Sequence, residues 1–136
     1  MADLNTNGNE LSVWLVHDDA SNLQLIIAAQ AANCEFVSNF DYALIPLAHL
    51  DSLSLTVKES PGKSPCPEGN QYHMDICQLT GRKQLEIGLA IFRHGKRERL
   101  REKEVYSLLS DALNAGWIDN SSLKKTLVKD LEKKGS

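Results

Sequence analysis

Four side chains near the middle of the chain are of the types that hold metal ions or move protons: His73, Asp75, Cys77 and Glu86. If two strands joined by a turn at residues 81–82 carry them, they share one face of a sheet, and Asp75 and Glu86 become diagonal neighbours. Two acids on adjacent strands can share a divalent cation. One interpretation of this pattern is a metal-dependent hydrolase or nuclease that uses Asp75 and Glu86. The other is an ordinary sheet face exposed to solvent, which explains the same residues.

A second pair of acids, Asp18 and Asp19, lies between an apolar run and the start of a predicted helix. The stretch Val16–Leu23 resembles the opening of response-regulator receiver domains, in which an acidic pair at a strand end helps to hold Mg²⁺. The resemblance implies a parallel sheet and a phosphorylated aspartate at the end of the third strand, where Thr56 stands in this chain. A degenerate receiver-like regulator is one alternative. Two carboxylates favoured by the positive end of a helix dipole are the other.

The third candidate is a strongly basic segment that begins near residue 93. We predict a helix over residues 97–115, so these cations would crowd its N-terminus, where the dipole disfavours each by about 0.3–1 kcal/mol. Cations beside the free amides of a helix start form an anion site. A solvated helix face with Arg–Glu pairs is the plainer explanation. The candidate binding residues are Arg93, Lys96, Arg97, Arg99 and Arg101.

An antiparallel hairpin over residues 71–93 is the element that would position these groups. The apolar residues of its second half alternate strictly, as in a half-buried strand: Leu85, Ile87, Leu89 and Ile91. The two-residue loop at 81–82 has Gly first, as a type II′ turn requires. This turn sets Ile76 opposite Ile87 and makes one face of the hairpin wholly apolar.

Short strands and helices are predicted for the rest of the chain. Strands are expected over 11–16 and 53–57, helices over 21–33, 97–115 and 121–134, and a proline-rich loop over 59–70. Gly116 is placed to end the second of these helices in the left-handed conformation. We expect residues 1–10 to form a disordered tail and 11–136 to form a single α+β domain. Its mainly antiparallel sheet would be centred on the 71–93 hairpin and covered by helices; a flavodoxin-like α/β arrangement is the alternative.

Composition and charge set the broad class of the protein. With 42% hydrophobic and 24% charged residues in 136, the chain is typical of a globular protein. Its net charge of −3 divides unevenly, because residues 1–92 carry −7 and residues 93–136 carry +4. The three cysteines are irregularly spaced and no signal peptide is apparent, so we expect reduced thiols and a cytoplasmic location. No apolar run approaches the roughly 18 residues of a membrane span.

No sequence motif of an enzyme stands out, whether a nucleophile elbow, a phosphate-binding glycine loop or a His-x-x-x-His pair. We therefore expect a small soluble non-enzymatic module of the inhibitor, immunity or chaperone type, which binds a protein partner with an acidic surface by charge complementarity. No catalytic residue, metal, cofactor or membrane contact is expected. Nucleic acid is disfavoured because the chain is acidic overall and lacks an aromatic platform beside the basic segment. The helix over 21–33 is apolar nearly all round, which would suit a homodimer.

Overall fold

The computed structural model describes residues 10–135, so the predicted tail over residues 1–10 lies outside the described residues except for Glu10. The strands are β1 (Leu11–Trp14), β2 (Phe40–Leu44), β3 (Thr56–Glu59), β4 (His73–Cys77) and β5 (Lys96–Leu100). The helices are α1 (Leu23–Ala32), α2 (Ala48–Asp51), α3 (Pro67–Asn70), α4 (Gly81–His94), α5 (Glu102–Asn114) and α6 (Lys125–Gly135). A short 3₁₀ turn spans Asn120–Ser122.

The strands form two small antiparallel sheets, which confirms the predicted α+β class. One sheet has three strands in the order β1-β4-β3, and the other pairs β2 with β5. The register of β3 on β4 sets Thr56 opposite Cys77 and Lys58 opposite Asp75. A flavodoxin-like arrangement needs a parallel sheet, so this alternative is wrong.

The hairpin predicted over residues 71–93 is also wrong, because its second half is the helix α4. Leu85 and Leu89 are four residues apart, as are Ile87 and Ile91, so the alternating run forms two pairs on opposite sides of a helix. Thr80 caps the N-terminus of this helix instead of preceding a hairpin turn. Its hydroxyl accepts a hydrogen bond from the Lys83 N–H at 3.1 Å. Strand β4 pairs instead with β1 and β3.

The helix predicted over residues 97–115 begins later, at Glu102, because Lys96–Leu100 forms β5. Arg101 is extended, and its N–H donates to the Glu104 carboxylate at 3.2 Å. Glu102 and Glu104 thus occupy the first turn, where the helix dipole favours acids rather than cations. The other end of α5 is as predicted. Gly116 adopts φ 78°, and the Trp117 N–H reaches back to the Ala112 carbonyl at 3.0 Å, as in a Schellman ending.

The chain divides into two compact units, each with its own apolar core. In its described part, unit 1 comprises residues 10–13, 41–60 and 74–98. Its core is centred on Ile76, Leu79 and Ile87, with five half-buried apolar side chains around them: Leu11, Val13, Leu53, Leu55 and Ile91. The prediction of one domain over residues 11–136 stays a prediction.

Unit 2 comprises residues 14–40, 61–73 and the described residues from 99 to 135. Helix α1 is buried nearly all round and packs against α3 and α5. Leu127 of α6 is fully buried in the same core, as expected for the predicted last helix. The Asp130 carboxylate accepts hydrogen bonds from Lys134 at 2.8 Å and from the Val37 N–H at 2.8 Å, and both hydrogen bonds lower the pKa of Asp130.

The turn before α1 is held by one buried polar side chain. Asn22 accepts a hydrogen bond from the His17 N–H at 2.8 Å and donates to the Leu15 carbonyl at 3.0 Å. The oxygen and the nitrogen of this side-chain amide therefore each have a hydrogen-bond partner although the residue is only 4% exposed. Within residues 10–135, no helix combines the length and apolar character needed to cross a membrane.

Candidate functional site

Helix α4 presents apolar side chains on two opposite faces. Ile87 is 2% exposed and faces the core of unit 1. On the other side Leu85 is 50% exposed, Leu89 40% and Phe92 71%. The spacing of these three residues (i, i+4, i+7) places them in one line along the helix. We call them the α4 stripe.

The stripe is held on a helix that is fixed at both ends. At the start, the Lys83 ammonium donates to the Ser54 carbonyl at 3.2 Å. At the end, the imidazole rings of His49 and His94 stack at 3.8 Å between centroids, which attaches α2 to the last turn of α4. Gly95 then allows the chain to turn sharply, because a Cβ there would lie 2.5 Å from the Ile91 carbonyl oxygen. These contacts keep the stripe in place without a partner.

Cations border the stripe along α4 and at the start of β5. The Arg97 guanidinium lies over the Phe92 ring, 5.5 Å from its centroid, within the range of a cation–π contact. Arg82 and Arg93 are eleven residues apart, close to three full helical turns, so both lie on the same flank of the stripe. We call these three arginines and the neighbouring Lys96 the basic rim: Arg82, Arg93, Lys96 and Arg97.

The basic rim is only partly neutralised. Arg82 pairs with Glu86 at 3.2 Å, and Lys96 pairs with Glu98 at 3.4 Å. In the part of the chain that the structure describes, no carboxylate lies within ion-pair distance of Arg93 or Arg97. Residues 81–97 contain five Lys or Arg and one acid, a net charge of +4. This part of unit 1 is therefore positive although the whole chain is negative.

The five predicted binding residues do not meet at a helix start. Arg93 lies in the last turn of α4, where the dipole favours a cation, and Lys96 and Arg97 lie on β5. These three belong to unit 1, whereas Arg99 and Arg101 belong to unit 2. The helix start expected beside these cations is wrong, since Glu102 and Glu104 occupy the first turn of α5; binding by the five residues stays a prediction. Exposure of the basic residues is the part of the hypothesis that remains.

Sequence reasoning missed the apolar half of this surface. Leu85, Leu89 and Phe92 follow the helical spacing over residues 81–94. That signal was available, but the strict alternation of residues 85–91 concealed it by satisfying the strand pattern as well. Arg82 was missed for the same reason, because a hairpin turn would have placed it away from Arg93.

Of the four residues proposed to share a metal-binding face, three lie on β4, namely His73, Asp75 and Cys77, and Glu86 lies elsewhere. Asp75 lies on β4 and accepts a hydrogen bond from the Ser12 hydroxyl at 3.2 Å, whereas Glu86 lies on α4 and pairs with Arg82. Asp75 and Glu86 are therefore not on adjacent strands, and the premise of the two-carboxylate site is wrong. Among residues 10–135, no group of three His, Cys, Asp or Glu side chains is arranged to hold a metal ion.

One member of the acidic pair in the receiver-like stretch, Asp19, has a structural role. The Asp19 carboxylate accepts a hydrogen bond from the Ser21 N–H at 2.9 Å, and this bond lowers the pKa of Asp19. Thr56, near the place of the phosphorylated residue in the resemblance, is the exposed first residue of β3, and its hydroxyl lies 3.4 Å from the Gln78 side-chain oxygen. A receiver needs a parallel sheet, and the sheets here are antiparallel. Asp19 therefore stabilises the turn before α1.

The three cysteines differ in access to solvent and in acidity. Cys34 is exposed, Cys66 is fully buried and Cys77 is half-buried. Burial raises the pKa of the Cys77 thiol, and the Glu10 and Asp75 carboxylates raise it further. Burial likewise raises the pKa of Cys66. Neither of these thiols is poised to act as a nucleophile at neutral pH, since the reactive form is the thiolate.

We expect the thiols to react in the order of their exposure. With a disulfide reagent at neutral pH, Cys34 should react first, Cys77 more slowly, and Cys66 only when the protein unfolds. The measurement is the time course with which the reagent's own thiol is released by the native and by the denatured protein. Cys34→Ser is the control variant. A fast phase that survives in Cys34→Ser would contradict the burial and the charge environment described for Cys77.

Comparison with known proteins identifies no relative of this chain. No protein-family model, curated protein or solved structure matches the chain. The geometry and charge of α4 and β5 are therefore the guide to function.

Proposed function

We propose that this protein is a small, soluble, cytoplasmic interaction module without enzymatic activity, and that it binds an acidic surface on a partner protein. The observation that carries the proposal is the exposed positive charge at the end of α4 and the start of β5. There Arg93 and Arg97 have no carboxylate of the described chain within ion-pair distance. Binding to an acidic surface would neutralise them. Inhibitors, immunity proteins and chaperones work in this way, by covering a surface of another protein.

The apolar and charged parts of the surface would have different roles. Exposed cations at the rim of an interface mainly raise the association rate and make it depend on salt. Affinity comes chiefly from a few large side chains, often aromatic, that are buried near the centre of an interface, and Phe92, with Leu89 beside it, would supply them. The Arg97 guanidinium is already held over the Phe92 ring. Less of its conformational freedom would therefore be lost on binding.

Reversing the charge of Arg93 and Arg97 is expected to weaken partner binding at least tenfold at low salt and much less at high salt. The immobilised full chain would capture its partner from a lysate of the organism that encodes it. Mass spectrometry identifies the partner, and titration of the purified partner against Arg93→Glu/Arg97→Glu measures the loss. The salt dependence follows because the Debye length falls from about 30 Å at 0.01 M salt to about 10 Å at 0.1 M.

A control variant of equal charge is Lys124→Glu/Lys125→Glu, which alters two exposed lysines of unit 2. It changes the net charge by the same amount but leaves the basic rim intact. Its affinity for the partner should stay close to that of the unaltered chain, and the unfolding midpoints of both variants should stay close to the original. Equal loss of binding in the two variants would show only a nonspecific effect of net charge, and the proposal would then be withdrawn.

A further inference from the structure

We infer that the α4 stripe is the docking site for an amphipathic helix of the partner protein that carries carboxylates beside its apolar face. This inference rests on the proposed function and specifies the secondary structure and chemistry of the partner's binding segment. Its basis is the combination of two features at α4 and the start of β5. One is the line of exposed Leu85, Leu89 and Phe92, and the other is the basic rim beside it.

The dimensions of the stripe fit a helix. From Leu85 to Phe92 the helix rises seven residues, about 10 Å at 1.5 Å per residue. Two turns of a second helix span the same distance and present apolar residues at the same spacing, so the side chains of the two helices can interdigitate. Gly88 borders the stripe on the side away from Arg82 and Arg93, and its lack of a side chain allows a close approach there.

Charge complementarity selects an acidic partner over a second copy of this chain. If two α4 helices paired in antiparallel fashion about Leu89, the Arg82 end of one would meet the Arg93 end of the other. In a parallel two-fold pair, the arginine flank of each helix would face the opposite flank of the other, where Gly81, Gln84 and Gly88 offer no carboxylate. The antiparallel pair thus brings like charges together, which is unfavourable across an interface, and the parallel pair leaves the arginines unpaired. Carboxylates on the flank of a different helix would pair with Arg82, Arg93 and Arg97.

A protein helix also fits better than an anionic membrane surface. Helices that lie in a membrane interface bury an apolar face along their length and carry Lys and Arg on the opposite face. Here the face opposite the stripe is occupied by Ile87 and Ile91, which pack in the core of unit 1. The stripe offers only three side chains, and Glu86 lies on the same flank as Arg82, with which it pairs.

The test is selection of peptides of about 16 residues, or roughly four helical turns, from a random displayed library against the immobilised full chain. We expect the enriched peptides to carry apolar residues at i, i+3 or i+4, and i+7, with Asp or Glu beside them. They should become helical on binding, as measured by circular dichroism. Leu89→Gln and, separately, Phe92→Gln should each weaken binding at least tenfold in a fluorescence anisotropy titration.

Val57→Gln is the matched control, because Val57 is a similarly exposed apolar residue of unit 1 that lies on β3. Its affinity for the peptides should be unchanged. All three variants alter exposed side chains, so each should keep the circular dichroism spectrum and unfolding midpoint of the original. Loss of binding in Val57→Gln equal to that in Leu89→Gln would overturn the assignment of the site to α4.

The remaining outcomes separate this inference from the proposed function. The selection could instead enrich acidic peptides that lack the apolar spacing. If Arg93→Glu/Arg97→Glu no longer bound these peptides but Leu89→Gln still did, helix docking would be overturned and the proposed function would stand. Selection that enriches no acidic peptide would overturn helix docking, and titration of the captured partner would then decide the proposed function alone. A dimer in sedimentation that Leu89→Gln dissociates would show that a second copy is the occupant. If the chain bound phosphatidylserine vesicles and Leu89→Gln abolished that binding, the occupant of the stripe would be a membrane. Either result would overturn the inference.

Discussion

Replacement of Ile87 by alanine is expected to lower the free energy of unfolding by about 2–5 kcal/mol, the usual cost of truncating a large buried aliphatic side chain. Ile87 is 2% exposed and lies at the centre of the unit 1 core with Ile76 and Leu79. This core is small, so few neighbours can move to fill the cavity. Urea denaturation followed by circular dichroism gives the change.

Leu89→Ala provides a control only two residues away. Leu89 is 40% exposed on the α4 stripe, so its truncation removes less buried area than that of Ile87 and introduces a better helix former; we expect a loss of about 1 kcal/mol or less. The pair also distinguishes a helix from a strand. In a strand, residues 87 and 89 point to the same side, and both truncations would be costly. Equal destabilisation by the two variants would contradict the structure of α4.

The error over residues 81–94 shows why hydrophobic alternation was not decisive. Four apolar residues at i, i+2, i+4 and i+6 match a strand, yet they also form two i, i+4 pairs on opposite sides of a helix. The two patterns separate only when one face of the helix must be polar. In α4 both faces are apolar: one packs in the core, and the other is exposed to solvent. The sequence pattern of a helix with an exposed apolar face thus imitated that of a strand.

Features determined by local interactions were predictable. The helix over 21–33, the ending of α5 at Gly116 and the apolar face of α6 all depend on residues within a few positions of one another. The partners of β4 do not. Glu59 pairs with Met74 and Thr56 with Cys77 across the proline-rich segment, and no local signal specifies such pairs. The sequence therefore predicted β4 itself but assigned it the wrong neighbour.

The candidate site was predictable to the same extent. Its cations were recognisable by their density alone, and Arg93, Lys96 and Arg97 are exposed as a binding role requires. Their placement was not, because it depended on whether the chain after Gly95 continued as a helix. A strand over residues 96–100 brings Arg97 over Phe92, and no helical prediction anticipated that contact.

Close approach of two helices in unit 2 leads to the last prediction, that Gly69→Ala destabilises the protein by about 1–3 kcal/mol through overpacking. A Cβ at Gly69 would lie 2.9 Å from the Ala29 Cβ and 3.1 Å from the Leu25 carbonyl oxygen. Both atoms belong to α1, which is buried nearly all round, so neither can move without disturbing the core. Alanine's better helix propensity, worth up to about 1 kcal/mol, is too small to offset this cost.

Gly81→Ala is the matched substitution at the start of α4. A Cβ there would meet no atom within 4 Å, and the backbone of Gly81 is helical. Alanine should therefore stabilise the protein by about 0.4–1 kcal/mol, mainly by restricting the unfolded chain. Thermal and urea unfolding of the two variants should shift in opposite directions. If Gly69→Ala were also stabilising, α3 could not lie as close to α1 as the structure places it.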